Sequence, residues 1–243
     1  LQSIAAEMNL SETAFLRPLE QKPLKESKNF SLRWFTPKLE VSLCGHATLA
    51  TAAVLFYDLN ISTDEMHFET KSGILVAKRD EHGIMLDFPE DETETAKPSK
   101  NLLDATGVSS FESARQARRL KMLLIHVSGE EEVRKLKPDF ELMRKACVSE
   151  GIEGVVVTSR GHSPYDFVSR FFAPCLGINE DPVTGAAHTV LAPYWSKILG
   201  KKEMLACQVS ARGGRLLVRM RQRGRVDLIG NAVIVLKGEL YLQ

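Results

Sequence analysis

Apolar and polar positions alternate along this chain in two periods, and the order of those periods recurs. Residues 3–9 carry a helical amphipathic pattern that ends at Asn9, and Thr13 to Leu19 alternate like a strand until Pro18 interferes. Phe30 to Phe35 is strand-like. Ala47 to Tyr57 is too uniformly apolar for a surface helix and predicts one running through the middle of a lobe. Met66 to Thr70, Gly73 to Lys78 and Gly83 to Phe88 then form an antiparallel meander, turned at Asp80-Glu81-His82-Gly83. Further on, Lys121 to Val127 reads as a strand, Glu130 to Leu136 and Phe140 to Val148 as helices, and Val155 to Thr158 and Asp166 to Phe172 as strands. Thr184 to Leu199 is a second central helix, with Gly200 placed to end it. Met204 to Ser210, Arg215 to Met220, Arg225 to Gly230 and Ala232 to Leu242 predict a closing strand meander.

Within this order one phrase occurs twice. Arg33-Trp34-Phe35-Thr36-Pro37 leads through Glu40 to Cys44-Gly45-His46-Ala47-Thr48, and Arg170-Phe171-Phe172-Ala173-Pro174 leads through Glu180-Asp181-Pro182 to Thr184-Gly185-Ala186-Ala187-His188. The matching hairpins at Gly73 and Gly214 keep the same order once a short insertion is allowed. The repeat predicts two similar lobes, residues 1–100 and 101–243, with a small-molecule site in the crevice between them. The charged, apolar-poor stretch from Glu90 to Asn101 is the expected crossing, and the last strand is a candidate to cross back to the first lobe.

Composition narrows the class. The 243 residues are 44% hydrophobic and 26% charged, which is ordinary for a globular protein, and a formal net charge of +1 argues against a general polyanion binder. No apolar run reaches the length of a membrane span. Cys44, Cys147, Cys175 and Cys207 are scattered without a CxxC pair, which fits reduced thiols in the cytoplasm better than a disulfide framework. The chain begins at Leu1 and not Met, so an N-terminal piece, and with it an N-terminal strand, is expected to precede this numbering.

The two helix starts carry the candidate chemistry. Backbone N–H groups near Gly45-His46 and Gly185-Ala186, with the positive ends of two helix dipoles, would hold a carboxylate if they converge. His46, in the first turn of its helix, is expected to be neutral, because the dipole disfavours imidazolium. Asp181 stands before Pro182 at the second helix start and reads either as a cap or as a working carboxylate. Glu12 lies between two apolar segments in Asn9-Leu10-Ser11-Glu12-Thr13-Ala14-Phe15. It reads as a surface glutamate or, half-buried, as a group of raised pKa that exchanges a proton with carbon.

That segment, together with Leu43-Cys44-Gly45-His46-Ala47-Thr48 and Glu180-Asp181-Pro182-Val183-Thr184-Gly185, resembles the three signature segments of the phenazine-biosynthesis PhzF-like family, especially its animal branch. The similarity runs in order through Arg212-Gly213-Gly214. It implies an α+β fold of the diaminopimelate-epimerase-like kind: two pseudo-symmetric lobes, each a curved, mostly antiparallel sheet around a central helix. Glu12 matches the family's general acid/base, and His46 and Asp181 match polar residues of its pocket, completing the catalytic set. Gly45, Thr48, Gly185 and Ala186 are the expected substrate-binding positions. The resemblance also implies a homodimer and, in the animal branch, a WD-repeat protein as partner.

The departures sharpen the expected reaction. The family commonly has a serine where this chain has Ala186. Racemases of the fold use two facing cysteines, whereas the position facing Cys44 in the repeat falls on Pro182. One carbon base, Glu12, favours moving a double bond over inverting a stereocentre. The expectation is a cofactor-independent isomerase of a small carboxylate substrate, with a binding or scaffold protein that has lost activity as the alternative. The spacing of Cys44, His46, Asp181 and His188 matches no common metal pattern, so no metal is expected. Arg215, Arg219, Arg221, Arg223 and Arg225 alternate with Leu216, Val218 and Met220 as one basic and one apolar strand face, not as a nucleic-acid site.

Overall fold

A computed structural model describes residues 1–241. The chain forms two compact units, Leu1–Leu86 with the segment from Ile229 onward, and Asp87–Leu228. The passages from one to the other lie inside strands β6 (Gly83–Pro89) and β15 (Arg225–Gly230). The polar stretch expected at the crossing lies within the second unit. Its residues Thr93–Thr95 form strand β7, and Ser99 caps helix α3 (Lys100–Thr106) by accepting the Leu102 N–H.

In the first unit, α1 (Gln2–Met8) ends at Asn9, whose left-handed backbone (φ 49°) closes the helix by an N–H bond to the Ala5 carbonyl. It is followed by β1 (Thr13–Pro18), β2 (Asn29–Phe35), the two-residue β3 (Glu40–Val41), α2 (Gly45–Ala53), a π turn over Val54–Asp58, β4 (Glu65–Thr70) and β5 (Gly73–Asp80). The sheet order is β1-β2-β4-β5-β6. Phe30, Leu32 and Trp34 point to one face of β2 and are buried, as period-two alternation requires. Ala52, Leu55, Phe56, Met66 and Phe68 complete that core.

In the second unit the order is β15-β14-β13-β11-β10-β9-β8-β7, with β8 (Ser113–Ala117), β9 (Met122–His126), β10 (Gly154–Arg160), β11 (Phe167–Ala173), β13 (Glu203–Gln208) and β14 (Gly214–Arg221). Its central strands are buried on both faces. Val155, Val157, Val168 and Phe172 pack with α3, α4 (Glu130–Lys135) and α5 (Phe140–Glu150). The opposite parity faces α6 (Gly185–Leu199): Phe167 stacks on Trp195 at 5.7 Å, and the Trp195 indole N–H donates to Thr158 at 3.0 Å. Such two-sided burial explains the near-continuous apolar runs of these strands. Pro193 inside α6 lacks the N–H that would bond the Thr189 carbonyl, and the Asp91 N–H takes that oxygen at 3.1 Å.

The repeated phrase becomes a repeated path. In the first unit β2 turns through β3 into α2 and emerges as β4, parallel to β2. In the second, β11 turns through β12 (Ile178–Asp181) into α6 and emerges as β13, parallel to β11. The same ion pair pins each turn: Arg33 holds both oxygens of Glu40 at 2.8 and 3.0 Å, and Arg170 those of Glu180 at 2.7 and 2.9 Å. Each guanidinium also lies over a phenylalanine, Phe35 at 5.1 Å and Phe172 at 4.9 Å.

Two expectations change. The residues immediately before the helices are Cys44 and Thr184, so Thr184, and not Pro182, is the counterpart of Cys44. The closing strand over Ala232–Leu242 is absent among the described residues, and Leu242 lies outside them. A strand needs a neighbour to complete its ladder, and no described strand pairs with this segment, where Val233 and Val235 are 85% and 91% exposed. No helix among the described residues is long and apolar enough to cross a membrane.

Candidate active site

The first unit brings Glu12, Cys44 and His46 together. Glu12 follows the left-handed turn at Asn9 and immediately precedes β1, so the strand fixes its backbone. Its side chain is 9% exposed and that of His46 is 27% exposed. Glu12 Oε2 lies 2.9 Å from His46 Nε2, an ion pair when the ring is protonated. Ser11 Oγ lies 3.5 Å from the same nitrogen, and Cys44 Sγ lies 3.8 and 3.9 Å from the two ring nitrogens.

The charges follow from this geometry. Burial would lower the His46 pKa, but its contacts with Cys44 and Glu12 more than reverse that and hold it well above the ordinary imidazole range. Burial would raise Glu12, yet His46 outweighs it and the carboxyl is lowered. Burial raises the Cys44 thiol, which therefore stays protonated at neutral pH. With Cys44 neutral, the negative charge that favours the imidazolium is that of the Glu12 carboxylate. The expected neutral His46 and raised Glu12 are both corrected. A helix dipole contributes only about 0.3–1 kcal/mol, less than a carboxylate in contact with the ring. The resting site is an imidazolium beside a carboxylate.

The start of α2 adds donors. No side chain caps it, so the N–H groups of its first turn, at Gly45 and His46, lack helical partners. Thr48 is different from expectation: it is fully buried, and its hydroxyl donates to the Cys44 carbonyl at 2.6 Å, which supports the turn.

Asp181, Gly185 and Ala186 belong to the second unit. Asp181 is 5% exposed at the end of β12 and accepts a hydrogen bond from the Thr184 hydroxyl. Gln208, fully buried on β13, ties this turn together. Its amide nitrogen donates to the Asp181 carbonyl at 2.5 Å and to Thr184 Oγ1 at 3.2 Å, and its amide oxygen accepts the Thr184 N–H at 2.9 Å. His188 is fully buried, with Nδ1 2.8 Å from the Thr184 carbonyl, and burial lowers it to about 4, so it is neutral. Ser210 donates to the Pro182 carbonyl at 2.8 Å. Gly214 is required beside it, because a Cβ there would lie 1.9 Å from Val183 Cγ2. Gly185 and Ala186 are half-buried at the start of α6, which also lacks a side-chain cap.

Sequence reasoning missed Gln208 and Ser11. The one polar residue in the run Met204–Val209 was the available signal for Gln208; nothing distinguished Ser11 from a turn serine.

Three donor atoms, from Glu12, Cys44 and His46, lie within 4.8 Å of one another, a set that a divalent ion such as zinc accepts. Sequence spacing does not reveal this set, because Glu12 comes from a distant segment. Binding there would displace protons from His46 and Cys44.

The family described as PhzC-PhzF, phenazine biosynthesis-like protein, matches residues 1–238. This chain belongs to that family. The rat phenazine biosynthesis-like domain-containing protein is 45% identical over 98% of this chain and 87% of its own length. An uncharacterized isomerase of Halalkalibacterium halodurans is 44% identical over 100% of this chain and 87% of its own. The crystal structure of a PhzF-family protein from Enterococcus faecalis superposes with a TM-score of 0.88 at 40% identity, covering 99% of this chain and 86% of that one. The family resemblance and the α+β, epimerase-like fold class are thereby established.

Proposed function

We propose that this chain is an isomerase that moves a proton, and with it a double bond, in a small carboxylate substrate without a cofactor. The observation that carries the reading is the Glu12–His46 pair: a 9% exposed carboxylate kept ionised by an imidazolium 2.9 Å away, beside an uncapped helix start. The relative named an isomerase supports the reaction class.

In this mechanism the substrate carboxylate takes the free N–H groups at Gly45 and His46. Its negative charge competes with Glu12 for the imidazolium, which raises the basicity of Glu12 as the substrate binds. Glu12 then removes the proton from the activated carbon. The electron pair moves into the conjugated system, and the His46 N–H stabilises the charge that develops there. Glu12, now protonated, returns the proton to a carbon further along the same face. Cys44 remains a thiol and takes no proton from carbon, so a single base serves both transfers.

The test is proton exchange in deuterated water with a panel of small acids bearing an activated C–H beside a double bond. The native chain exchanges at least one panel member, and Glu12→Gln loses about a hundredfold or more. Equal exchange by both proteins rejects Glu12 as the base. Absence of exchange across the panel, with tight binding retained, favours the binding-protein reading, for which Ala186 in place of the family serine speaks.

A further inference from the structure

Two thiols of the second unit have no part in that chemistry. Cys147, fully buried on α5, belongs to the cluster formed by Leu123, Ile125, Met143 and Val157. Cys175, in the 3-10 turn Pro174–Leu176, packs against the same cluster but is only partly buried, unlike the other three cysteines. Its Sγ donates to the Arg144 carbonyl at 3.4 Å. Arg144 is one turn before Cys147, and a helical side chain covers the turn N-terminal to its own Cα. The Cys147 thiol therefore leans over the turn on which the Cys175 sulfur rests, and both sulfurs pack in the same cluster. Burial, and then the adjacent Cys175, push the Cys147 thiol up to about 12, so the more accessible Cys175 is the thiol that meets an oxidant first.

We propose that Cys147 and Cys175 are an oxidisable dithiol whose disulfide links α5 to the turn leading into β12 and Asp181. With hydrogen peroxide as oxidant, the Cys175 thiolate attacks one peroxide oxygen and hydroxide leaves, giving a sulfenic acid. The Cys147 sulfur, giving up its proton, attacks the Cys175 sulfur, and the sulfenic oxygen departs as water. Two thiols lose two electrons, one peroxide is reduced, and two waters form. Cys175 lies six residues before Asp181 in sequence, so the bond fixes the chain just upstream of β12.

The native chain is treated with hydrogen peroxide, acid-quenched, alkylated, digested and mapped by mass spectrometry. The expected result is a Cys147–Cys175 peptide pair as the main product, reversed by dithiothreitol. Native alkylation of Cys175 should fall about tenfold or more, and the link should form faster than in the urea-unfolded chain. Cys175→Ser, a change at a partly exposed position, should abolish the link while leaving the fold intact by circular dichroism. Accumulation of Cys175 sulfinic acid with Cys147 still reduced overturns the proposal, as does an equal linking rate in the unfolded chain. Neither readout involves the substrate, so failure here leaves the isomerase reading untouched.

Discussion

Replacing Glu12 by glutamine should return His46 to a neutral imidazole at physiological pH. Two unit charges 2.9 Å apart attract by about 6 kcal/mol at an effective dielectric near 20, close to four pKa units. That acts in the direction of the rise of His46 from 6.5 to about 11, to which the contact with Cys44 also contributes. In Glu12→Gln the attraction is gone, while burial and the helix start still oppose a positive charge. The His46 midpoint should fall to 6.5 or below. Side-chain NMR titration measures it directly; there are six histidines, and loss of one resonance in His46→Gln assigns the signal. A native His46 titrating near 6.5, or an unchanged midpoint in the variant, refutes the ion pair. The stability consequence has a definite sign. The raised His46 stabilises the fold at pH below its unfolded value, and that contribution is lost as pH rises toward about 11. The lowered Glu12 stabilises above its ordinary 4.5, and that contribution is lost as pH falls through its lowered value. The stability gap between native and Glu12→Gln should therefore hold through neutral pH and close at both extremes.

Other predictions follow from the repeated turn and its surroundings. Arg170→Met should cost about 3 kcal/mol or more in denaturant titration, because it strands Glu180 in a pair whose side chains are only 12% and 19% exposed. The matching Arg33→Met, at a side chain 47% exposed, should cost far less; equal losses would contradict the role of burial. Gly214→Ala should destabilise by about 1–3 kcal/mol, and Val183→Ala should restore most of it; additive losses would show that the close approach is not the cause. Dialysis against a chelator should leave Glu12-dependent exchange unchanged, since a metal at Glu12, Cys44 and His46 must displace two bound protons; a loss restored by zinc would contradict a cofactor-free site.

Local signals made much of this fold legible. Asn9 and Gly200 mark helix ends where left-handed backbone is needed, and the apolar runs around Val155 and Phe167 match strands covered on both faces. The Arg33 and Arg170 phrases were readable because each builds the same pinned turn. What was hidden depends on distant partners. The stretch before Asn101 looked like a linker because it is polar nearly throughout, and its strand Thr93–Thr95 is defined only by pairing with residues about twenty positions on. Ala232 to Tyr241 has a strand's apolar pattern, but pattern does not supply a ladder partner. Glu12 was singled out by its setting, whereas its charge and that of His46 follow from a contact across 34 positions that no local rule describes. Cys44 and Thr184 became counterparts only when the helix starts were fixed by the backbone.

The central claim is that Glu12 is the carbon base. Its most direct test is solvent deuterium incorporation into a small unsaturated acid, followed by NMR for the native chain and Glu12→Gln with His46 charge verified in each. With Glu12 as the base, incorporation is expected for the native chain alone, at positions on both ends of the shifting double bond and on one face. Incorporation that survives Glu12→Gln would contradict it.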